Sequence, residues 1–161
     1  MKSRFTLLIV TCSALALAAS FAAAQSTTVD HLTQPQLLEK SQALVAKAQA
    51  QGGNASSKLA EYPNHYTMIA LRNQNGGAEI HDNFADIFLV LQGSATLVSG
   101  GTVPDAKRAG EGEQRGAAVE GGARETLNQG DVVHIPAGVP HQLLLSSGGT
   151  FVYFVVKVKE K

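Results

Sequence analysis

The chain has 161 residues, 13 basic and 13 acidic side chains, a single cysteine, no tryptophan and a formal net charge of zero. That length accommodates one compact domain, and the charge balance lacks the basic excess by which nucleic-acid binders are steered to their target. Sixteen glycines, with 44% hydrophobic and 16% charged residues, fit a turn-rich globular chain better than a disordered or multi-spanning one.

Residues 1–24 read as a cleavable signal peptide. Lys2 and Arg4 precede an apolar run from Leu7 to Ala18, and Ala22-Ala23-Ala24 forms a small-x-small site before Gln25. Thr11, Cys12, Ser13 and Ser20 break the run, so a retained anchor is the poorer alternative. No later segment approaches the ~20 apolar residues that a membrane-crossing helix needs. A periplasmic or secreted mature chain with no stable membrane span is expected. Cleavage removes two basic and no acidic residues, giving a net charge of −2, and it removes the only cysteine. Disulfides, thiolate nucleophiles and cysteine metal ligands are thereby excluded from the mature chain.

Residues 25–62 form a polar lead and one amphipathic helix. Thr33 supplies an N-cap and Pro35 sits in the first turn. Leu37, Leu38, Leu44, Val45 and Ala48 recur at helical spacing, which predicts a helix over 34–51 ended by Gly52-Gly53.

Residues 63–161 change character. Short β-rich runs at 65–72, 87–91, 95–98, 132–135, 142–145 and 151–156 are separated by glycine-containing turns, the pattern of an antiparallel barrel or sandwich. Alternation in the last run places Val152, Phe154, Val156 and Val158 on the buried face. The glycine-rich, charged stretch from Gly100 to Gly122, which carries Glu113 and Arg115, reads as a solvated loop or hairpin with no part in chemistry.

Two segments carry chemistry. Gly130, Pro136, Gly138 and His141 fall in a G-x5-P-x-G-x2-H pattern, a strand and tight turn that aim one imidazole into a barrel. Upstream, Glu79 and His81 stand two apart, on one face of a strand, as two ligands of a single ion must. Asp86 follows, seven residues before Gly93. Together these segments resemble the two motifs of the cupin superfamily over roughly residues 65–158. The second motif matches except at its last position, where Leu145 replaces Asn. The first departs at two positions, with Glu79 where a His and Asp86 where a Glu is usual.

The resemblance implies an all-β, jelly-roll-like cupin barrel with one N-terminal α-helix. It also implies a divalent-metal site (Mn, Fe, Ni or Zn) made by Glu79, His81, Asp86 and His141, a small-molecule ligand or substrate, and a homodimer. The alternative for His81 and His141 is that they only hydrogen-bond within the polar mouth of a barrel that has lost its metal. His134 and Arg72 are candidate substrate contacts, His134 as a proton donor and Arg72 as a carboxylate partner; the alternatives are an outer-face histidine and a solvated strand-end arginine. Two functions from different classes remain: a metal-dependent enzyme such as an oxygenase, isomerase or lyase, and a small-molecule or sugar-binding barrel without catalysis. No nucleophile–base pair, phosphate loop or dinucleotide fingerprint is present.

Overall fold

The computed structural model describes residues 29–160; the signal-peptide reading of residues 1–24 lies outside them. Among the described residues no helix is long and apolar enough to cross a membrane.

The N-terminal helix begins where the sequence places it. Thr33 and Gln36 form a reciprocal capping box, with Pro35 in the first turn. The single helix expected over 34–51 is instead two: α1 (Gln34–Gln42) and α2 (Val45–Ala50), separated by Ala43 and Leu44. The break leaves the buried stripe intact, because Leu37, Ser41, Leu44 and Ala48 all remain against the barrel. A further strand not expected from the sequence, β1 (Asn54–Glu61), follows directly and pairs with β2 (His65–Arg72). Its Ser, Lys and Glu content gives it little apolar alternation, so only its partner reveals it.

The remaining strands are β3 (Ala78–His81), β4 (Phe84–Gln92), β5 (Ala95–Ser99), β6 (Lys107–Gly110), β7 (Glu113–Gly116), β8 (Ala123–Leu127), β9 (Val132–Ile135), β10 (His141–Leu144) and β11 (Phe151–Lys159). They form a five-stranded sheet of order β1-β2-β11-β4-β9 and a six-stranded sheet of order β6-β7-β3-β10-β5-β8, with antiparallel pairing throughout.

The core lies between the sheets, where Ala70, Phe88, Val90, Tyr153 and Val155 meet Leu97, Leu127 and Leu143. A second apolar layer joins Leu37, Leu44 and Ala48 of the helices to Ile69, Leu71, Leu91 and Val152 on the outer face of the five-stranded sheet. Burying a side chain such as Phe151 or Ile69, both fully inaccessible, contributes roughly 1.5–3 kcal/mol over leaving it exposed.

This double covering reverses the expected face of β11. The interior row is Phe151, Tyr153, Val155 and Lys157, whereas Val152 and Phe154 pack under the helices. A strand apolar on both faces loses the alternation from which its orientation would be read. Lys157 sits between Tyr66 of β2 and Asp86 of β4 in the register, and is 8% exposed.

Candidate metal centre

A cavity of about 430 Å³ opens between the sheets, with Glu79, His81, Asp86 and His141 in its wall. Three strands deliver these residues. Glu79 and His81 share one face of β3, His141 is the first residue of β10 and is registered opposite Glu79, and Asp86 comes from β4 of the other sheet. The Pro136–His141 turn is tied to the site, because the Gly138 N–H donates to the His81 carbonyl at 2.8 Å.

The two imidazoles are presented alike. His81 Nδ1 lies 2.8 Å from both carboxylate oxygens of Glu113, and His141 Nδ1 donates to the Val139 carbonyl at 3.0 Å. In both rings Nε2 is buried and without a hydrogen-bond partner. Oxygens surround that point: Glu79 Oε2 lies 3.5 Å from His81 Nε2 and 3.9 Å from His141 Nε2, and Asp86 Oδ2 lies 3.4 and 3.7 Å from them. One ligand atom each from Glu79, His81 and His141 falls within 4.8 Å of the others.

This arrangement fits a divalent transition metal. Ligands at about 2.1 Å from a tetrahedral ion are about 3.4 Å apart, close to the observed spacings. An Nδ1–H held by a carboxylate or carbonyl, with Nε2 free, is how ligating histidines are oriented. Two imidazoles with carboxylate oxygens suit Mn, Fe, Ni or Zn.

Each carboxylate in the wall also has a cation of its own. Arg72 Nη2 lies 2.9 Å from Glu79 Oε1, Lys157 Nζ lies 2.5 Å from Asp86 Oδ1, and Arg115 Nη2 lies 3.0 Å from Glu113 Oε2. Burial alone would raise the carboxyl pKa of Glu79. His81, Arg72 and Arg115 outweigh it and hold that pKa well below the usual range. Asp86 is lowered likewise, with His81 and Lys157 outweighing burial. Burial disfavours the His81 imidazolium, yet the Asp86 and Glu79 carboxylates push its pKa up to about 9. His141 is dominated by burial and shifts down.

Arg72 is buried rather than solvated. Its Nε donates to the Tyr153 hydroxyl at 3.0 Å and its Nη2 to Glu79, so it braces the site. His134 is not brought to the cavity. It is exposed on the outer face of β9, opposite Ile87, while its neighbours Val133 and Ile135 point inward. The expected substrate contact at His134 is therefore corrected to an outer-face histidine.

Sequence reasoning missed Glu113, Arg115 and Lys157. The 100–122 stretch forms a hairpin of β6 and β7, and pairing of β7 with β3 sets Glu113 opposite His81 and Arg115 opposite Glu79. The expectation of a solvated, uninvolved loop fails at these two residues. Their Glu-x-Arg spacing mirrors Glu79-x-His81, a period-2 signal that the glycines around it obscured.

No family model and no curated relative matches this chain. Solved structures do. The DMSP lyase DddQ from Ruegeria pomeroyi DSS-3 aligns at 17% identity over 70% of this chain and 50% of its own, with a TM-score of 0.50. This chain thus spans half the length of that lyase. An uncharacterised protein with a double-stranded β-helix domain from Klebsiella pneumoniae aligns at 16% identity over 67% of this chain and 78% of its own, also at 0.50. The two-sheet antiparallel barrel of this chain has the double-stranded β-helix fold, the architecture expected from the sequence.

Proposed function

We propose that this protein is an exported cupin that holds one divalent metal ion through Glu79, His81 and His141, with Asp86 beside them, and binds or transforms a small organic molecule there. One observation carries the reading: the buried Nε2 atoms of His81 and His141 face a common point with no hydrogen-bond partner. Leaving two buried polar nitrogens unsatisfied costs roughly 1–3 kcal/mol each, which an ion at that point would offset. A bound ion would supply Lewis-acid or redox chemistry.

The chain's own groups do the rest. Glu113 and the Val139 carbonyl fix the imidazole tautomers, Arg72 and Lys157 anchor the two carboxylates, and Met68, Phe88 and Val155 give the cavity an apolar side. The test is metal per chain in the purified protein after exposure to Mn, Fe, Ni and Zn. Stoichiometric uptake of at least one is expected, and none by any of the four would overturn the reading.

A metal-free binding barrel is the second reading, favoured by the pairing of every wall carboxylate with its own cation, which balances the site without an ion.

Export rests on Lys2, Arg4, the apolar run and Ala22-Ala23-Ala24. Mass spectrometry of periplasmic or secreted material is expected to find Gln25 as the N-terminus; a full-length cytosolic chain sinks the proposal. A homodimer is supported by the exposed cross-strand pair Leu89 and Val132 where β4 meets the edge strand β9. Light scattering behind a sizing column tests it, with twice the monomer mass expected.

A further inference from the structure

The charges lining the cavity name the class of molecule that it takes. Its wall carries three carboxylates, Glu79, Asp86 and Glu113, and three basic side chains, Arg72, Lys157 and Arg115. Their nearest pairs lie at 2.9, 2.5 and 3.0 Å, and Arg115 also reaches Glu79 at 3.4 Å. Ligation requires both imidazoles to be neutral, and with them neutral the side chains of this lining sum to zero beside the ion. A divalent ion then adds two positive charges that no wall group offsets. Buried charge without compensation is strongly unfavourable, and a bound ion is the largest local charge in such a site.

We infer that the ligand is a small organic anion, one or two carboxylates on a short apolar body, which supplies the negative charge that the protein withholds. This rests on the metal reading above and deepens it. Arg115 marks the entry side, because its side chain is 42% exposed while those of Arg72 and Lys157 are about 10% exposed. The guanidinium that first meets an incoming carboxylate is therefore Arg115, whereas Arg72 lies deeper, with Nε and Nη2 held by Tyr153 and Glu79. Met68, Phe88 and Val155 form one interior row across β2, β11 and β4, against which the apolar body packs.

The experiment titrates the Zn-loaded and the metal-free full-length mature chain with succinate, glutarate and benzoate, each beside its uncharged amide. At least one acid is expected to bind the Zn-loaded chain at least about tenfold more tightly than its amide, and at least about tenfold more tightly than it binds the metal-free chain. By reciprocity that acid tightens Zn binding by the same factor. Arg115→Gln is expected to weaken the acid several-fold and leave the amide unchanged, and Lys157→Met, where it folds, to do the same. Zn-loaded chain on which no acid outbinds its amide, or an acid that binds equally with and without Zn, overturns the inference and leaves the metal site standing. A chain that takes up no metal overturns both.

Discussion

Lys157 and Asp86 face each other across β11 and β4 inside the barrel, Nζ 2.5 Å from Oδ1, each less than a tenth exposed. Desolvating two such charges offsets much of their attraction, so the pair contributes less than the penalty of leaving either partner unpaired. Lys157→Met leaves the buried Asp86 carboxylate with the His81 imidazolium as its one remaining cationic neighbour and is expected to cost up to roughly 3 kcal/mol. Lys157→Met combined with Asp86→Asn is expected to recover a large part of that loss. Urea unfolding of the metal-free single and double variants measures both, and additive losses would mean that the two residues do not act as a pair.

Glu113 stands behind His81 as a positioning residue. It holds Nδ1–H and so keeps Nε2 turned to the centre of the site. Replacing His81 or His141 by Ala removes a nitrogen donor and is expected to reduce metal content to near background. Glu113→Ala is expected to weaken affinity by about 10–100-fold, the usual cost of losing an orienting partner, with Glu113→Asp partly restoring it. His134→Ala is expected to leave metal content intact, since that side chain is on the outer face. Competition with a chromophoric chelator reads all five variants. A His81→Ala protein that keeps stoichiometric metal refutes the site.

The sequence exposes what depends on local chemistry. Pro136 and Gly138 announce the turn that delivers His141, Thr33 announces the helix start, and β2 and β9 fall where the β-rich runs place them. What it hides depends on pairing. Lys157 has no partner near it in sequence, and it becomes an interior residue only when β2 and β4 pair on either side of β11. Glu113 and Arg115 look solvated until β7 docks on β3. A strand inward on one face and helix-covered on the other, such as β11, offers no alternation to choose between them.

Gly93 and Gly138 both hold φ of +81°, a conformation that side chains avoid. They differ in surroundings. A Cβ at Gly138 meets nothing within 4 Å, whereas one at Gly93 runs into the backbone carbonyl of Thr150. Gly138→Ala is expected to cost about 1 kcal/mol through backbone strain alone, and Gly93→Ala clearly more, because the backbone must also shift. Denaturant midpoints compare the two. Equal losses would mean that the contact with Thr150 is relieved at no cost.

The His81 imidazolium gives the metal-free chain a pH dependence of definite sign. Burial opposes the charge, but the Asp86 and Glu79 carboxylates raise the folded pKa to about 9, above the unfolded value of about 6.5. The folded state therefore binds a proton that the unfolded chain has already lost. The resulting stability is fully present below about pH 6.5 and disappears as pH rises through 9. His141 does not blur this window, because its pKa is lowered from the ordinary imidazole value, and those of Glu79 and Asp86 are lowered from the ordinary carboxylate range. A metal ion takes the place of the His81 proton, so its apparent affinity is expected to climb by up to about tenfold per pH unit until pH 9 and then level off. Urea unfolding in EDTA at pH 6, 7.5 and 9, set beside Zn titrations at the same pH values, checks both slopes. Metal-free stability that stays flat or increases between pH 6.5 and 9 would show that His81 is neutral between its carboxylates.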